Sequence, residues 1–284
     1  MLLSYRSLLC VVVLTLLSGC GGNSQEVPQS SSPFPIPTQV NGAWYSPSSG
    51  TTWQWQLSGE LNTQYAVDVY DVDLFDVSKA QISELQDKGI RVICYFSAGS
   101  YEAWRDDASQ FPASALGDTL DGWEDERWLD IREQSILAIM ETRIALASEK
   151  GCDAVEPDNV DGYTNQTGFN LSHEDQLAFN LALSTAAHSH GLGIGLKNDL
   201  DQVIELEPYF DFAVNEQCFE YNECNALQPF TENNKAVFNA EYHSGWLNDA
   251  NARATLCDQA STMGLSTLIL PLTLDDSFRF SCSQ

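Results

Sequence analysis

The stretch "CDAVEPDNVDGY" (residues 152–163) decides how this chain is read. Ala154 and Val155 are short and apolar, as the middle of a buried strand is, and the chain then runs straight into Glu156, Asp158 and Asp161. Pro157 stands between the first two acids. A proline donates no ladder hydrogen bond and fits poorly inside a parallel sheet. The stretch therefore reads as a core strand that stops at Pro157 and delivers carboxylates at its carboxyl end. Side chains alternate along a strand, so Glu156 and Asp158 point the same way.

Working outward, the same pattern recurs. Apolar runs occur at 66–73, 91–99, 127–131, 153–158, 193–199, 211–217, 236–242 and 266–272, which makes eight. Between them lie helical patterns with start and stop signals. Ser78 opens one that Gly89 ends, and Ser172, followed by acids, opens another that Gly191 ends. The segments before Gly151 and Gly264 read the same way. Continuous apolar strands alternating with helices predict a parallel sheet buried on both faces. Eight units predict a single α/β domain, a (β/α)8 TIM-type barrel; the runner-up is an open doubly wound sheet. No glycine-rich phosphate loop follows any strand, which counts against a nucleotide-binding version. "TTWQWQLSG" (51–59) fits poorly: it looks like an extra N-terminal strand, or the first strand with its helix missing.

The ends of the chain are of another kind. Residues 1–20 combine Arg6 with an apolar run from Leu8 to Leu17, a secretory leader too short to be a transmembrane helix. Its end, "LSGC", resembles the lipobox of bacterial lipoproteins and makes Cys20 the expected lipidated residue. Residues 21–40 are rich in Gly, Ser and Pro and read as a tether to a catalytic-sized domain at 41–284. The expected location is the bacterial cell envelope, lipid-anchored at the membrane, with a monomer expected.

Forty Asp+Glu against 13 Lys+Arg give a formal net charge of −27, which argues against nucleic acid as a partner. Such charge suits a polycationic substrate, and equally suits solubility in a salty medium. An exported chain permits disulfides. Cys218–Cys224 closes a short loop and is the best pair; Cys257–Cys282 is the second, tying down the C-terminal tail. Cys94 lies in an apolar run and is read as a buried thiol. No cysteine or histidine grouping has metal-site spacing, so no metal is expected.

In a (β/α)8 barrel the chemistry lies at the carboxyl ends of the strands. Those ends are polar here: Asp71 and Asp73; Tyr95; Asp130; Glu156 and Asp158; Lys197, Asn198 and Asp199; Asn215 and Glu216; Glu241 and Tyr242. Two facing carboxylates are the minimal machine for glycoside hydrolysis, one ionised and one protonated. Acid pairs also bind metals or form salt bridges, and spacing alone leaves all three readings open.

Taken together, "TWQWQLSG", "VDVYDVDLFD", "VICYFSAGSYE", "WLDIR", "GCDAVEPDNVDGY", "GLKND" and "VNEQC" resemble glycoside hydrolase family 114, the endo-α-1,4-polygalactosaminidases, over roughly residues 41 to 272. The resemblance implies a barrel without a cofactor, acting on α-1,4-linked galactosamine in partly deacetylated exopolysaccharide. It implies Asp158 as nucleophile and Glu216 as general acid/base in a retaining mechanism. It further implies cationic-sugar subsites at Asp71, Asp73, Glu156, Asp161, Asp199 and Glu241. Lys197 would orient Glu216 or Asp158, Asn198 would bind substrate, and Trp53, Trp55, Tyr95, Trp123, Tyr163 and Tyr242 are the aromatics from which sugar platforms would be drawn. The rival readings are a non-catalytic surface lipoprotein that binds cationic polysaccharide, and a barrel glycosidase for another sugar.

Overall fold

The computed structural model describes residues 42–282. The leader, Cys20 and the tether lie outside the described residues. Twelve strands are present among those described: β1 (Trp53–Gln56), β2 (Val69–Asp73), β3 (Arg91–Ser97), β4 (Ser100–Glu102), β5 (Leu116–Leu120), β6 (Trp123–Leu129), β7 (Ala154–Asp158), β8 (Gly193–Lys197), β9 (Phe212–Glu216), β10 (Val237–Glu241), β11 (Ser266–Ile269) and β12 (Phe280–Ser281). The helices are α1 (Lys79–Asp87), α2 (Gln134–Lys150), α3 (His173–Ser189), α4 (Val203–Leu206), α5 (Gln228–Glu232), α6 (Ser244–Asn248) and α7 (Ala250–Met263).

The main sheet runs β1-β2-β3-β7-β8-β9-β10-β11 with every pair parallel, and β12 adds antiparallel beyond β11. This is the expected (β/α)8 architecture, with the sheet curled on itself. The outer strands meet through side chains and loops: Trp53 Nε1 donates to Ser266 O at 2.8 Å, and Ser266 Oγ to Thr51 O at 2.7 Å. Arg279 adds bonds to Trp53 O and to Gln54.

The eight parallel strands are not the eight expected. β1, the awkward "WQWQ", is one of them, and no helix separates it from β2. The run 127–131 is not. It falls at the end of β6, which pairs antiparallel with β4 and β5 in a separate three-stranded sheet. The cause is visible in "WEDERWL": Trp123, Glu124, Asp125 and Arg127 are exposed, and only Glu126, Trp128 and Leu129 are buried. A strand exposed on one face belongs in an antiparallel layer, not between helices.

Helix signals behave as read. Ser78 and Ser172 each cap a helix through a reciprocal capping box, with Gln81 and Asp175 as partners. Gly151 and Gly264 end α2 and α7 in the left-handed conformation, at φ 94° and 74°.

Two hydrophobic layers result. The larger lies between sheet and helices; the smaller fills the barrel with Trp53, Trp55, Ile93, Phe212, Phe238 and Leu268. Gly195 makes room within it, since a Cβ there would lie 2.3 Å from the Phe212 ring. Trp53 stacks on Phe238 with ring centroids 4.9 Å apart, so it packs the barrel floor and meets no sugar.

Both expected disulfides, Cys218–Cys224 and Cys257–Cys282, are formed. The reading of Cys94 as a free buried thiol is corrected: it is bonded to Cys152. β3 and β7 are neighbours with Ile93 beside Ala154, which brings Cys94 and Cys152, two residues ahead of β7, within reach.

Candidate active site

Pro157 belongs to β7, which pairs with β3 as far as Ser97↔Asp158 but with β8 only at Ala154↔Gly193 and Val155↔Ile194. Successive residues of a strand direct their backbone groups to opposite neighbours. The Asp158 carbonyl faces β3, accepting from Ala98 N and Gly99 N. The Pro157 nitrogen therefore faces β8 at a level where that ladder has already ended. The proline costs no hydrogen bond, and it sets Asp158 at the rim.

Period-two alternation directs Glu156 and Asp158 of β7, Lys197 of β8 and Glu216 of β9 into the barrel, and they meet. Lys197 Nζ lies 2.9 Å from Glu156 Oε1, 3.1 Å from Asp158 Oδ1 and 3.4 Å from Glu216 Oε2. The Asp158 and Glu216 oxygens thus reach the same nitrogen. Their two distances laid end to end bound the separation near the shortest spacing used by inverting glycosidases, about 6.5 Å.

Each carboxylate is further fixed. Tyr95 OH donates to Asp158 Oδ2 at 3.0 Å and Asn159 N to Oδ1 at 2.7 Å. Tyr242 OH donates to Glu216 Oε1 at 2.6 Å, and Asn198 accepts from Glu216 N at 2.9 Å. The phenols stay protonated donors: burial first, then Asp158, pushes Tyr95 well above the usual range, and burial then Glu216 does so for Tyr242. Burial opposes the Lys197 charge, but Asp158, Glu156 and Glu216 outweigh it and hold its titration well above the ordinary value. The ammonium is a permanent cation between the two rim carboxylates.

An open cleft of about 1910 Å³ lies over this cluster. Asp161, Asn198, Asp199, Trp123 and Tyr163 line it. Asp199 Oδ2 accepts from Asn180 at 2.8 Å, while its Oδ1 is buried without a partner. Trp123 is 53% exposed at the cleft edge.

Other expected residues lie elsewhere. Asp73 reaches the cleft wall but is held in a bidentate pair by Arg105, at 3.0 and 2.6 Å, and so is already neutralised. Glu241 is fully buried, faces away from the cleft and accepts from Phe219 N at 2.9 Å. Asp71 and Glu156 are fully buried at the floor. Trp55 is 1% exposed and lies under the Lys197 ammonium, 4.8 Å from its ring centroid. Asp130 pairs with Arg132.

Two cleft residues escaped the sequence. Glu126, 8% exposed, accepts from Ser100 Oγ at 2.6 Å and faces the cleft. Trp104, 53% exposed, stands on the opposite rim of the insert. Both belong to the segment around the small antiparallel sheet, where "EDE" and "EAW" carry no periodic signal. Among the described residues no group of three or more His, Cys, Asp or Glu side chains is arranged to hold a metal ion.

Burial leads the causes that raise four carboxyls: Asp161 to about 6, Glu126 and Glu241 to about 7, and Asp199 to about 8. Unfolded, each titrates near 4. Between those values the folded chain holds protons that the unfolded chain has released, so stability falls as pH rises. We predict that the urea midpoint decreases steadily from about pH 5 to about pH 8. A midpoint flat or rising across that range would refute the buried-acid reading.

A carboxylate pair at the carboxyl mouth of a parallel barrel is the arrangement that glycosidases use. The chain belongs to glycoside hydrolase family GH114, whose model matches residues 35–284. It is similar to the structure of Ega3 from Aspergillus fumigatus in complex with galactosamine, with 40% identity and TM-score 0.82, covering 86% of this chain and 100% of that one. It also shares its fold with the glycoside hydrolase domain of PelA from Pseudomonas aeruginosa, at 14% identity and TM-score 0.63, covering 82% of this chain and 98% of that one. No curated protein sequence matches the chain.

Proposed function

We propose that the protein is an endo-acting hydrolase of α-1,4-galactosaminidic bonds in cationic, partly deacetylated polysaccharide, working with retention. The observation that carries this reading is the single Lys197 ammonium shared by Asp158 at 3.1 Å and Glu216 at 3.4 Å. Through that nitrogen the two oxygens are no more than about 6.5 Å apart, a limit that admits the spacing of about 5–5.5 Å that retaining enzymes use. An Asp158 oxygen attacks the anomeric carbon while Glu216 gives its proton to the departing glycosidic oxygen. Water then attacks the same carbon, Glu216 takes the water's proton, and the Asp158 ester bond breaks.

The substrate class is supported by the similarity to a galactosamine-bound enzyme and by the charge of the cleft. Asp161 offers a carboxylate to a sugar ammonium, Asn198 a polar contact and Trp123 a face for stacking. Asp71, Asp73, Glu156, Asp199 and Glu241 are left out of this role, because they are buried or already paired. The lipobox reading adds an anchor to the bacterial envelope, where the enzyme meets secreted polymer.

The test is to incubate residues 41–284 with partly deacetylated galactosaminogalactan and with neutral α-glycans, and to identify products by mass spectrometry. Cationic oligosaccharides from the first polymer, with none from the second, are expected. Release from neutral glycans alone would assign the barrel to another sugar.

A further inference from the structure

Under the catalytic cluster lies a group that the reaction scheme does not use. Asp71, on the inner face of β2, is fully buried. Neither of its carboxyl oxygens receives a hydrogen bond from any N–H or O–H group, and Glu156 Oε2 is equally without a donor. Glu156 is the charged neighbour that most raises Asp71 after burial itself, so the two unpartnered carboxyls stand close together. Carboxylates are acceptors only, so two neighbouring buried carboxyls with no other donor are satisfied when one of them carries a proton.

The neighbouring donors do not serve the pair. Trp55 of β1 is in register with Asp71 but its indole N–H bonds to neither acid; Tyr95 of β3, in register with Glu156, donates to Asp158; Tyr242, just after β10, donates to Glu216; and Lys197 of β8 donates to Glu156 Oε1, with Asp158 of β7 beyond it. Lys197 is the one cation among these, and it already serves three carboxylates. Even with Glu216 carrying the proton that the reaction scheme requires, three ionised carboxyls, Asp71, Glu156 and Asp158, around one buried ammonium would leave a net charge that a dry interior does not tolerate.

We propose that Asp71 and Glu156 share one proton, held on Asp71, and that this pair is the positioning device that seats the Lys197 ammonium between Asp158 and Glu216. Asp71 donates to Glu156 Oε2, which leaves Glu156 ionised. Its Oε1 then grips Lys197 from below at 2.9 Å, while the two rim carboxylates reach it from above at 3.1 and 3.4 Å. Burial, followed by Glu156, pushes the Asp71 carboxyl well above the usual range; burial also raises Glu156, but there Lys197 and Asp71 work against it, so the proton sits on Asp71.

The inference rests on the reading of Asp158 and Glu216 as the catalytic pair, so its test has one arm that needs no substrate. In that arm, urea midpoints of Asp71→Asn and of the intact chain are compared from about pH 5 to about pH 8. An aspartate that keeps its proton on folding contributes a loss of stability with rising pH. Asparagine has no proton to keep and still donates to Glu156. The midpoint of Asp71→Asn relative to the intact chain should therefore climb as pH rises. A constant offset across the range would show that Asp71 takes up no proton, and would overturn the proposal.

In the second arm, Asp71→Leu removes the donor and should lower kcat about tenfold or more with KM changed less than about twofold, while Asp71→Asn recovers most of that loss. An asparagine variant as impaired as the leucine variant would mean that the negative charge is needed, which also overturns the proposal. If Asp71→Leu fails to fold, the first arm decides alone. Should the intact chain cleave no polymer at all, the proposed function fails while the stability arm still reports on the shared proton.

Discussion

Asp158→Asn and Glu216→Gln are each expected to reduce kcat by roughly 10⁴-fold on polymer, with the fold intact. Both replacements preserve shape. Asparagine at 158 keeps one acceptor, for Asn159 N or for Tyr95, and glutamine at 216 keeps one for Tyr242. What is lost differs. An amide oxygen at 158 cannot carry the charge that becomes the ester bond, so the first chemical step stops. An amide at 216 cannot give up a proton, so that step stops only where the leaving group needs one. The two roles separate on an activated substrate such as a dinitrophenyl glycoside, whose leaving group departs unprotonated. Glu216→Gln should release dinitrophenol in a fast first turnover, while Asp158→Asn should release none. A burst from Asp158→Asn instead would exchange the assigned roles. Full polymer hydrolysis by either variant would remove that residue from the machinery.

The assignment of the pair shows what a sequence makes legible. β7, β8 and β9 are short apolar runs that end in charged residues, so period two suffices to predict that Asp158, Lys197 and Glu216 converge. The same arithmetic places Asp71 and Glu156 on the inner face, but it does not give depth along the barrel. Depth is what separates a buried floor acid from a rim acid that meets substrate. Asp73 illustrates a second limit. Its neutralisation depends on Arg105, which lies 32 positions away in the segment leading into the antiparallel insert. That insert was itself hidden, because "WEDERWL" ends with the apolar residues of a core strand and begins with the acids of an exposed one. Glu126 and Trp104 went unseen with it. Cys94 was misread for a related reason: an apolar run signals burial, while a disulfide depends on which strand lies alongside. Glu241 shares the strand-end position of Glu216. It faces the other way because one residue of offset reverses the side, and its partner is a backbone amide of the Cys218–Cys224 loop.

Lys197→Met should be more damaging than the loss of one hydrogen-bonding side chain. Methionine matches the length of the lysine stem, and would lie against Trp55 and Tyr95 where the ammonium now sits 4.8 and 5.6 Å from their ring centroids. Packing is thus largely conserved, and the change isolates the charge. Glu156, Asp158 and Glu216 would be left around a site with no cation. Removing one partner of a buried ion pair costs about 3–5 kcal/mol, because the remaining charge stays desolvated. The carboxyls have one escape, which is to bind protons. Asp158 would then titrate higher, and a protonated Asp158 is no nucleophile. The acid limb of the kcat/KM profile should therefore move to higher pH, together with a lower urea midpoint at neutral pH. Lys197→Arg should not restore the site, since a planar guanidinium cannot place one compact charge between three carboxylates in a space shaped for an ammonium. If Lys197→Met kept both its midpoint and its acid limb, the lysine would be a bystander, and the pair at the rim would have to be held apart by Tyr95 and Tyr242 alone. The distances argue otherwise: each tyrosine binds one carboxylate, and among the described residues only Lys197 touches both.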